Sequence, residues 1–320
     1  MEEKQLTIAM AKSDRTNAIF SGEAKIPNFT LKTKSTNVEE IFVNQAADAC
    51  YDIAEMSLAS YLIGLDRGET RLTAIPVFLS RSFRHNALYV RADSDITDPR
   101  QLRNRKVGLP EYQMTAAVWI RAYFRHEWGV PVEEIRWVTY RPERILIETP
   151  AERSASNDIY EGLVNGEVDA IMSARRPPEK YFSNTSDGSK IRRLIPDVWH
   201  NEREYYKRTG VFPIMHLVSL KKETVEKYPE LPATVYNVLK EAKNESINNL
   251  FETVKNATSI PFLWEAAEGS ASLMGQDIWP YGLVANKKQI ESFIKYLQED
   301  GLIKGEISID QIFDASVLNT

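Results

Sequence analysis

Two histidines stand in apolar segments of the chain, where a side chain that exchanges protons is unusual. His85 lies in SFRHNALYV and His216 lies in FPIMHLVSL. Imidazole gains and loses a proton near neutral pH, so either residue could act as a general acid or base. A histidine in such a segment can equally be a hydrogen-bonded core residue, and the residues alone leave both interpretations open.

Several arginines lie near predicted strand ends, although the chain carries a net charge of −5. An arginine fork binds a carboxylate through two parallel hydrogen bonds, and a helix N-terminus adds donors and partial positive charge. The group therefore predicts a dianionic organic acid as the ligand, with ordinary surface ion pairs as the alternative. The arginines concerned are Arg15, Arg81, Arg84, Arg121 and Arg175.

Other polar side chains flank the predicted strands, at the positions where open parallel sheets bind their ligands. These candidates are Asp14 and Arg15 after the first strand, Glu55 and Ser57 after the second, Arg81, Phe83, Arg84 and His85 before the fourth, and Glu111, Tyr112, Gln113, Met114 and Thr115 after the fifth. Trp279 and Tyr281 form an aromatic corner later in the chain, which could either wall an aromatic ligand or pack the domain.

The joint VGLPEYQMTAAVWIR combines a predicted buried strand with a helix from about Gln113 to Trp128. Phosphate-binding joints of this kind are rich in glycine, and the chain has neither GxGxxG nor GxxxxGK[ST]. We therefore expect the joint to meet a compact, flat, acidic ligand through side chains and helix-end amides. Glu111 is either a helix-start residue or a proton donor, and Trp119 either packs the core or borders the site.

Other classes of function find no support in the residues. HExxH, CxxC and close clusters of His and Asp are absent, so neither a metal nor a cofactor is expected. The negative net charge argues against nucleic acid as a partner, because phosphate binding needs a basic surface. The segment MEEKQLTIAMAKSD lacks the regions of an export signal, and no apolar run approaches the roughly 18–20 residues that span a bilayer. A cytoplasmic protein without a membrane partner is expected.

The elements that must position these residues alternate between short apolar runs and helical periods. This order predicts an α/β fold with mostly parallel sheets flanked by helices. Because no glycine-rich linker is present, we expect the chain to cross between two lobes along strands, out through ALYVRAD and back through PIMHLVSL. Residues 1–90 and 214–320 would form one lobe, and residues 91–213 an inserted second lobe. The ligand is expected in a cleft between them.

Four stretches, in this order, resemble the 4,5-dihydroxyphthalate decarboxylase family: FRHNALYVR, PEYQMTAAVWIR, FPIMHLVSL and WPYGLVANKKQI. The resemblance runs from the SDRT corner to the last helix and so covers nearly the whole chain. It implies a type II periplasmic-binding-protein-like fold with two α/β lobes and a ligand cleft, in agreement with the division predicted above.

The resemblance also implies a reaction, in which a hydroxylated aromatic diacid loses one carboxylate as carbon dioxide without a redox cofactor. The proton-handling candidates in that scheme are His85, His216, Glu111, Glu55 and Asp14. The groups that would hold the retained carboxylate are Arg84, Arg81, Arg15 and the helix N-terminus at Gln113 to Thr115. Closure of the lobes would exclude water from the ring.

Two alternatives to a decarboxylase remain at this stage. One is a solute-binding protein that captures a small carboxylate without catalysis, and the other is a precursor-synthesis enzyme on the same fold. The missing export signal and the paired histidines favour the decarboxylase, because a passive carboxylate binder needs donors more than proton shuttles. The expected partner is a small aromatic carboxylate, and a homo-oligomer is left open.

Overall fold

β-Strands and α-helices alternate along the chain in a computed structural model, which describes residues 4–183, 188–255 and 258–320. This alternation confirms the α/β class. Among these residues, no helix is long and apolar enough to cross a membrane. The strands are β1 (Gln5–Ala9), β2 (Thr30–Lys34), β3 (Ile53–Ser57), β4 (Leu72–Arg81), β5 (Leu88–Arg91), β6 (Lys106–Leu109), β7 (Arg136–Thr139), β8 (Glu152–Arg153), β9 (Ala170–Met172), β10 (Ile191–Arg193) and β11 (Ile214–Lys221). The helices are α1 (Asn17–Ser21), α2 (Val38–Asp48), α3 (Leu58–Asp66), α4 (Thr115–His126), α5 (Ile159–Val164), α6 (Val198–Thr209), α7 (Lys222–Lys227), α8 (Leu231–Leu250), α9 (Leu263–Met274), α10 (Lys287–Glu299) and α11 (Ile309–Ile312).

The chain divides into two compact units. The first consists of Met1–Arg81, Ile214–Glu291 and Gly305–Thr320, and the second of Ser82–Pro213 and Ser292–Lys304. Each unit is built around one sheet.

Two segments lie in a different unit from the lobe that the sequence predicted. ALYVRAD was expected as a strand crossing out of the first lobe, but β5 within it pairs with β9 and β10 in the sheet of the second unit. The chain therefore leaves the first sheet at the end of β4. Residues 292–304 also belong to the second unit, because Phe293 packs against Trp119 and Asp300 forms an ion pair with Arg121.

The sheet of the first unit has the strand order β2-β1-β3-β11-β4. β1 is parallel to β2 and β3, whereas β11 is antiparallel to both β3 and β4. After residues 82–213, the chain returns to the first sheet as β11, which runs opposite to β3 and β4. Its first residues therefore lie at the same edge as the last residues of β3 and β4, which places His216 beside Ser57.

The sheet of the second unit has the order β10-β5-β9-β6-β7-β8, with β5 antiparallel to both of its neighbours. Both sheets are thus mixed, which refines the expectation of mostly parallel sheets. Gly108 of β6 is tightly enclosed, since a Cβ there would lie 3.1 Å from both Ile171 and Tyr140. Those two residues belong to the apolar core of this unit together with Tyr89, Val138 and Leu163.

Helix α4 begins two residues later than the helical pattern suggested. The backbone N–H groups of Tyr112 and Gln113 donate to the Glu143 carboxylate, at 2.6 and 3.0 Å, instead of facing into a helical turn. Thr115 is consequently the first helical residue, and Met114 takes the cap position without a side-chain hydrogen bond.

Candidate active site

One edge of the first sheet collects the polar residues that the sequence placed near the ends of separate strands. β3 and β4 end at this edge and β11 begins there, and the loop after β1 lies beside them. His216 is paired with Ser57 of β3 and with Ser80 of β4, and the β11–β4 register is irregular on both sides of it. The structure brings together Asp14, Arg15, Glu55, Ser57, Arg81 and His216 in this unit.

His216 and Glu55 form a close pair at this edge. Nδ1 of His216 lies 2.7 Å from Oε1 of Glu55, a diagonal contact between antiparallel neighbours. The imidazole ring also meets the ring of Phe42 edge-on at 4.7 Å between centroids. Its side chain is 20% exposed, and within the described residues Nε2 has no hydrogen-bond partner. One nitrogen is therefore fixed by Glu55 and the other is left for a ligand.

Glu55 is a buried carboxylate whose surroundings keep it ionised. Its Oε2 accepts a hydrogen bond of 2.8 Å from the N–H of Ala11, in the loop after β1. Thr16 holds that loop, because its hydroxyl donates to the carbonyl of Ala11 at 2.7 Å. Burial alone would raise the pKa of Glu55, but His216, the Ala11 amide and the charge of Arg15 together hold this pKa below its usual range. An ionised Glu55 accepts from Nδ1–H and so fixes the tautomer of His216.

Arg15 lies flat over an aromatic ring at the same edge. Its Cζ is 4.1 Å from the ring centroid of Trp279, and its Nη2 donates to the carbonyl of Leu79 at 3.2 Å. Nη1 pairs with Asp14 at 2.6 Å. Asp14 itself is half exposed and its side chain contacts Arg15 rather than Glu55 or His216. Nε of Arg15 is buried and has no hydrogen-bond partner within the described residues, so one donor remains available.

Arg81, at the end of β4, is held by the corner that follows α9. Its guanidinium donates to the carbonyl of Pro280 at 2.8 Å and to Oδ1 of Asn286. Asn286 is buried and donates in turn to the carbonyls of Pro280 and Gly282, at 3.0 and 2.7 Å. Sequence reasoning missed Asn286, since an amide at the start of α10 carries no signal of a partner some 200 residues earlier.

The aromatic corner that the sequence left open faces both of these arginines. Nε1 of Trp279 donates to the carbonyl of Phe78 at 2.8 Å, which fixes the indole under Arg15. Tyr281 is 6% exposed, and its buried hydroxyl has no partner within the described residues. Burial raises the pKa of this hydroxyl, and the charges of Arg15 and Arg81 oppose that shift.

Ser57 caps the N-terminus of a helix at this edge. It is the N-cap residue of α3, where its hydroxyl accepts from the N–H of Ser60 at 3.4 Å. Such a cap satisfies one of the free amides at a helix start. Its predicted role in substrate binding therefore rests only on its position opposite His216.

In the second unit, the joint after β6 is occupied by the protein's own carboxylates. Glu111 is buried and pairs with Arg144 at 2.9 Å, with Arg141 at the outer limit of an ion pair, 4.0 Å. Glu143 accepts the two amides that were expected to meet a ligand. Burial raises the pKa of Glu143, helped by the charge of Glu111 and opposed by the two amides.

The side chains after Glu111 point into the second unit. The ring of Tyr112 is buried beneath the guanidinium of Arg121, 3.7 Å from its Cζ. The amide of Gln113 donates to the carbonyl of Ile145 at 3.1 Å, and Thr115 is buried in the first turn of α4. Trp119 is fully buried, so it packs the core, which answers the question that the sequence left open.

His85 is fully enclosed in the second unit. Nε2 lies 3.1 Å from Glu127, and the ring stands 4.7 Å from Tyr123 and 5.4 Å from Tyr205. No part of the side chain is exposed. This is the environment of the hydrogen-bonded core histidine that the sequence allowed as one of two interpretations. The proton-transfer role is not supported by its burial.

Phe83 and Arg84 lie just after β4, at the start of the second unit. The ring of Phe83 stacks on Phe212 at 4.9 Å. Arg84 is 8% exposed, and within the described residues its guanidinium forms no hydrogen bond or ion pair. Burial lowers the pKa of Arg84 to about 10, against the charges of Tyr123 and Glu202. A buried cation without a counterion is the setting in which an anionic ligand is bound.

Among the described residues, no group of three or more His, Cys, Asp or Glu side chains is arranged to hold a metal ion.

Comparison with known proteins identifies the relatives of the chain. No protein-family model matches it. A 4,5-dihydroxyphthalate decarboxylase of Comamonas testosteroni is 31% identical over 331 residues, a match that covers 100% of this chain and 99% of the relative. The chain belongs to the 4,5-dihydroxyphthalate decarboxylase family. A second relative of that name, from Pseudomonas putida, is 34% identical over 188 residues, which are 55% of this chain and 73% of the relative. The resemblance carried by the four sequence stretches is thus confirmed.

Solved structures place this member of the 4,5-dihydroxyphthalate decarboxylase family in a wider fold group. The periplasmic aliphatic sulphonate binding protein SsuA of Escherichia coli has a TM-score of 0.56 and 14% identity, covering 98% of this chain and 92% of SsuA. A mutant of the desulfurization enzyme DSZB in complex with biphenyl-2-sulfinic acid has a TM-score of 0.56 and 16% identity, covering 99% and 98%. The periplasmic-binding-protein-like fold is confirmed. Because one neighbour is a binding protein and the other an enzyme, the fold does not distinguish binding from catalysis.

Proposed function

We propose that the chain is a carboxy-lyase that removes one carboxylate from a hydroxylated aromatic diacid of the 4,5-dihydroxyphthalate class. The observation that carries the proposal is the full-length match to a relative of that name, at 31% identity. The pairing of Glu55 with His216 beside two arginines supports it, since the reaction needs a proton-transfer group and receptors for carboxylates.

The reaction replaces a carboxylate on the ring by a proton. A ring hydroxyl para to the leaving carboxylate loses its proton and pushes electron density into the ring. The carbon that bears the carboxylate accepts a proton, and the bond from this carbon to the carboxylate then breaks. The electron pair of that bond restores the aromatic ring, and carbon dioxide departs. The products are a dihydroxybenzoate and carbon dioxide, and the reaction consumes no external oxidant or reductant.

His216 is the proton-transfer group in this proposal, and Glu55 positions it. The carboxylate of Glu55 fixes Nδ1, so a proton can be accepted or delivered only at Nε2. Ionised Glu55 also stabilises the imidazolium form, which is the form able to protonate a ring carbon. Such an acid–base group contributes a rate factor of about 10²–10⁴.

Arg15 is the carboxylate receptor of the first unit in this proposal. Arg15 has a buried Nε donor without a partner, and its guanidinium is held flat on Trp279. Arg84, in the second unit, is a buried guanidinium without an ion pair among the described residues. Nη2 of Arg81 donates to both Pro280 and Asn286, so its part is to fix the corner at Trp279 and Tyr281.

Incubation with 4,5-dihydroxyphthalate labelled with ¹³C in its carboxylates tests the proposal. We expect labelled carbon dioxide and 3,4-dihydroxybenzoate in equal amounts, detected by mass spectrometry and chromatography. His216→Asn should abolish both, whereas His200→Asn, at an exposed position, is the matched control and should keep full turnover. Tight binding of a hydroxylated phthalate without release of carbon dioxide would indicate a carboxylate-binding protein instead.

A further inference from the structure

The segment Trp279 to Gly282 is a rigid corner of the first unit. Trp279 lies under Arg15, and the carbonyl of Pro280 accepts from Arg81. Gly282 has φ +92° and donates to the carbonyl of Pro76 at 2.8 Å. A Cβ on Gly282 would lie 2.9 Å from the backbone of Thr320, so the glycine is required both by conformation and by space. The residues on both sides of Tyr281 in the chain are therefore held in place by these contacts.

The hydroxyl of Tyr281 differs from the neighbouring polar groups of this corner. Every other polar group named in it is engaged, namely the indole N–H, the Pro280 carbonyl and the Gly282 N–H. The hydroxyl is buried, and no described residue accepts from it or donates to it. Native structures satisfy nearly all buried polar atoms, so an orphaned one in a rigid setting points to a missing ligand group.

Two arginines of the candidate active site contact the residues just before Tyr281, since Arg15 lies over Trp279 and Arg81 donates to the carbonyl of Pro280. Arg15, Arg81, Glu55 and Asp14 all act electrostatically on the Tyr281 hydroxyl. Both the Arg15 and the Glu55 side chains have been assigned to the reaction above. Tyr281 therefore follows directly on the residues that hold Arg15 and Arg81, and burial raises the pKa of its hydroxyl, so that the oxygen keeps its proton and can donate.

We propose that the Tyr281 hydroxyl is a specificity-determining group that binds a ring hydroxyl of the substrate. The inference rests on the proposed function for the kind of ligand, and it adds which atom selects hydroxylated acids over unsubstituted ones. A tyrosine hydroxyl offers one donor and an acceptor, which matches a phenolic oxygen that can itself donate or accept. A carboxylate is better matched by the paired donors of an arginine, and Arg15 supplies these nearby.

Selectivity between ligands that differ only in ring hydroxyls provides the test. Benzoate and 3,4-dihydroxybenzoate are suitable probes, because they carry one carboxylate and are not consumed by the proposed reaction. For the wild type we expect calorimetry to show a preference of about 100-fold for the dihydroxy acid, since sites built to bind a hydroxyl discriminate strongly against its absence. For Tyr281→Phe we expect this preference to fall below about 5-fold, with benzoate affinity unchanged within about 2-fold.

Tyr61→Phe in the same unit is the matched control. The hydroxyl of Tyr61 donates to the carbonyl of Ile312 at 2.7 Å, so its removal should lower the melting temperature and leave the selectivity intact. Tyr281→Phe should show the opposite pattern, with no loss of thermal stability, because its hydroxyl has no partner to lose. The value of kcat/KM for 4,5-dihydroxyphthalate should fall about 10- to 100-fold in Tyr281→Phe and stay near the wild-type value in Tyr61→Phe.

Several results would overturn the inference. These are an unchanged preference in Tyr281→Phe, an equal loss of affinity for both acids, or no preference in the wild type. Failure of the proposed function is a separate result, since the binding measurement involves no turnover. Absence of carbon dioxide release with a Tyr281-dependent preference would reject the decarboxylase and keep the inference. Carbon dioxide release together with a preference that is unchanged in Tyr281→Phe would support the decarboxylase and reject the inference.

Discussion

Nδ1 of His216 lies 2.7 Å from Oε1 of Glu55, although the two residues are separated in the chain by the whole of residues 82–213. The contact exists because β11 runs antiparallel to β3 and begins where β3 ends. It gives the first unit an imidazole with one nitrogen fixed and the other unoccupied by any described residue.

The first prediction concerns turnover by this pair. Glu55→Gln should reduce kcat for 4,5-dihydroxyphthalate about 10- to 100-fold, because the neutral amide no longer stabilises the imidazolium or selects its tautomer. The rate of carbon dioxide release, followed from pH 5 to pH 9, is the measurement. We expect the acidic limb of the profile to move in the variant, which a purely structural role would not produce.

The second prediction concerns the pH dependence of stability. The pKa of Glu55 is lower in the folded protein than the value of about 4.3 for a free glutamate, so its ionised form stabilises the fold. This contribution is complete above the unfolded pKa and is lost as the pH falls through the folded pKa. Glu55→Gln should therefore be less stable than the wild type by about 1.5–3 kcal/mol at pH 7, and the gap should shrink below about pH 4. Urea unfolding measures it, with the exposed Glu226→Gln as a control expected within about 0.5 kcal/mol of the wild type.

The third prediction separates the two histidines. His85→Ala should lower the free energy of unfolding by about 3 kcal/mol, because it opens a cavity among buried rings and removes one of the partners of Glu127, which also pairs with Arg208. At a low temperature where this variant is still folded, its kcat should stay within about 3-fold of the wild type. That limit corresponds to a change of less than about 1 kcal/mol in the activation free energy. His126→Ala is the control, since its ring is partly exposed and its pairing with Glu299 should contribute less than about 1 kcal/mol. A folded His85→Ala protein without turnover would show that His85 takes part in the reaction.

The fourth prediction concerns the unpaired guanidinium of Arg84. Its pKa is lowered to about 10, so the charged form destabilises the fold at every pH below that value and the penalty disappears only above it. Arg84→Met should raise the free energy of unfolding at pH 7 by about 1–3 kcal/mol and weaken phthalate binding at least about tenfold. Arg100→Met, at an exposed arginine paired with Asp98, should change neither by more than about 0.5 kcal/mol. A loss of stability in Arg84→Met would mean that the guanidinium has a structural partner.

The fifth prediction concerns the segment held by Glu143. Glu143→Ala should release residues 141–147, because the carboxylate accepts the amides of Tyr112 and Gln113. Limited digestion with trypsin should then cut after Arg144 several times faster than in the wild type, since cleavage follows the population of the open segment. Glu148→Ala, at an exposed position just after this segment, serves as the control. Equal rates in the two variants would argue that Glu143 does not hold the segment.

The candidate residues near strand ends could be predicted because apolar runs mark strands and the polar residues beside them are visible in the sequence. Glu55 and Arg15 were predicted as candidates in this way. The pairing of Glu55 with His216 could not be derived, because local patterns do not show that β11 inserts between β3 and β4. The binding of the Tyr112 and Gln113 amides by Glu143 was likewise hidden, since residues 141–151 have no periodicity. His85 remained ambiguous because its partner, Glu127, is 42 positions away and carries no signal of the contact.

The position of β11 also constrains how the chain can fold as it is synthesised. β3 and β4 leave the ribosome early, but they do not pair with each other, because β11 lies between them and follows only after residue 213. The first unit must therefore wait while residues 82–213 emerge, and those residues in turn lack the segment 292–304 that packs against Trp119 and Arg121. Long-range pairing of this kind is slow and leaves strand edges open to association. Truncated or stalled chains should accordingly be targets of chaperones rather than partly active enzymes.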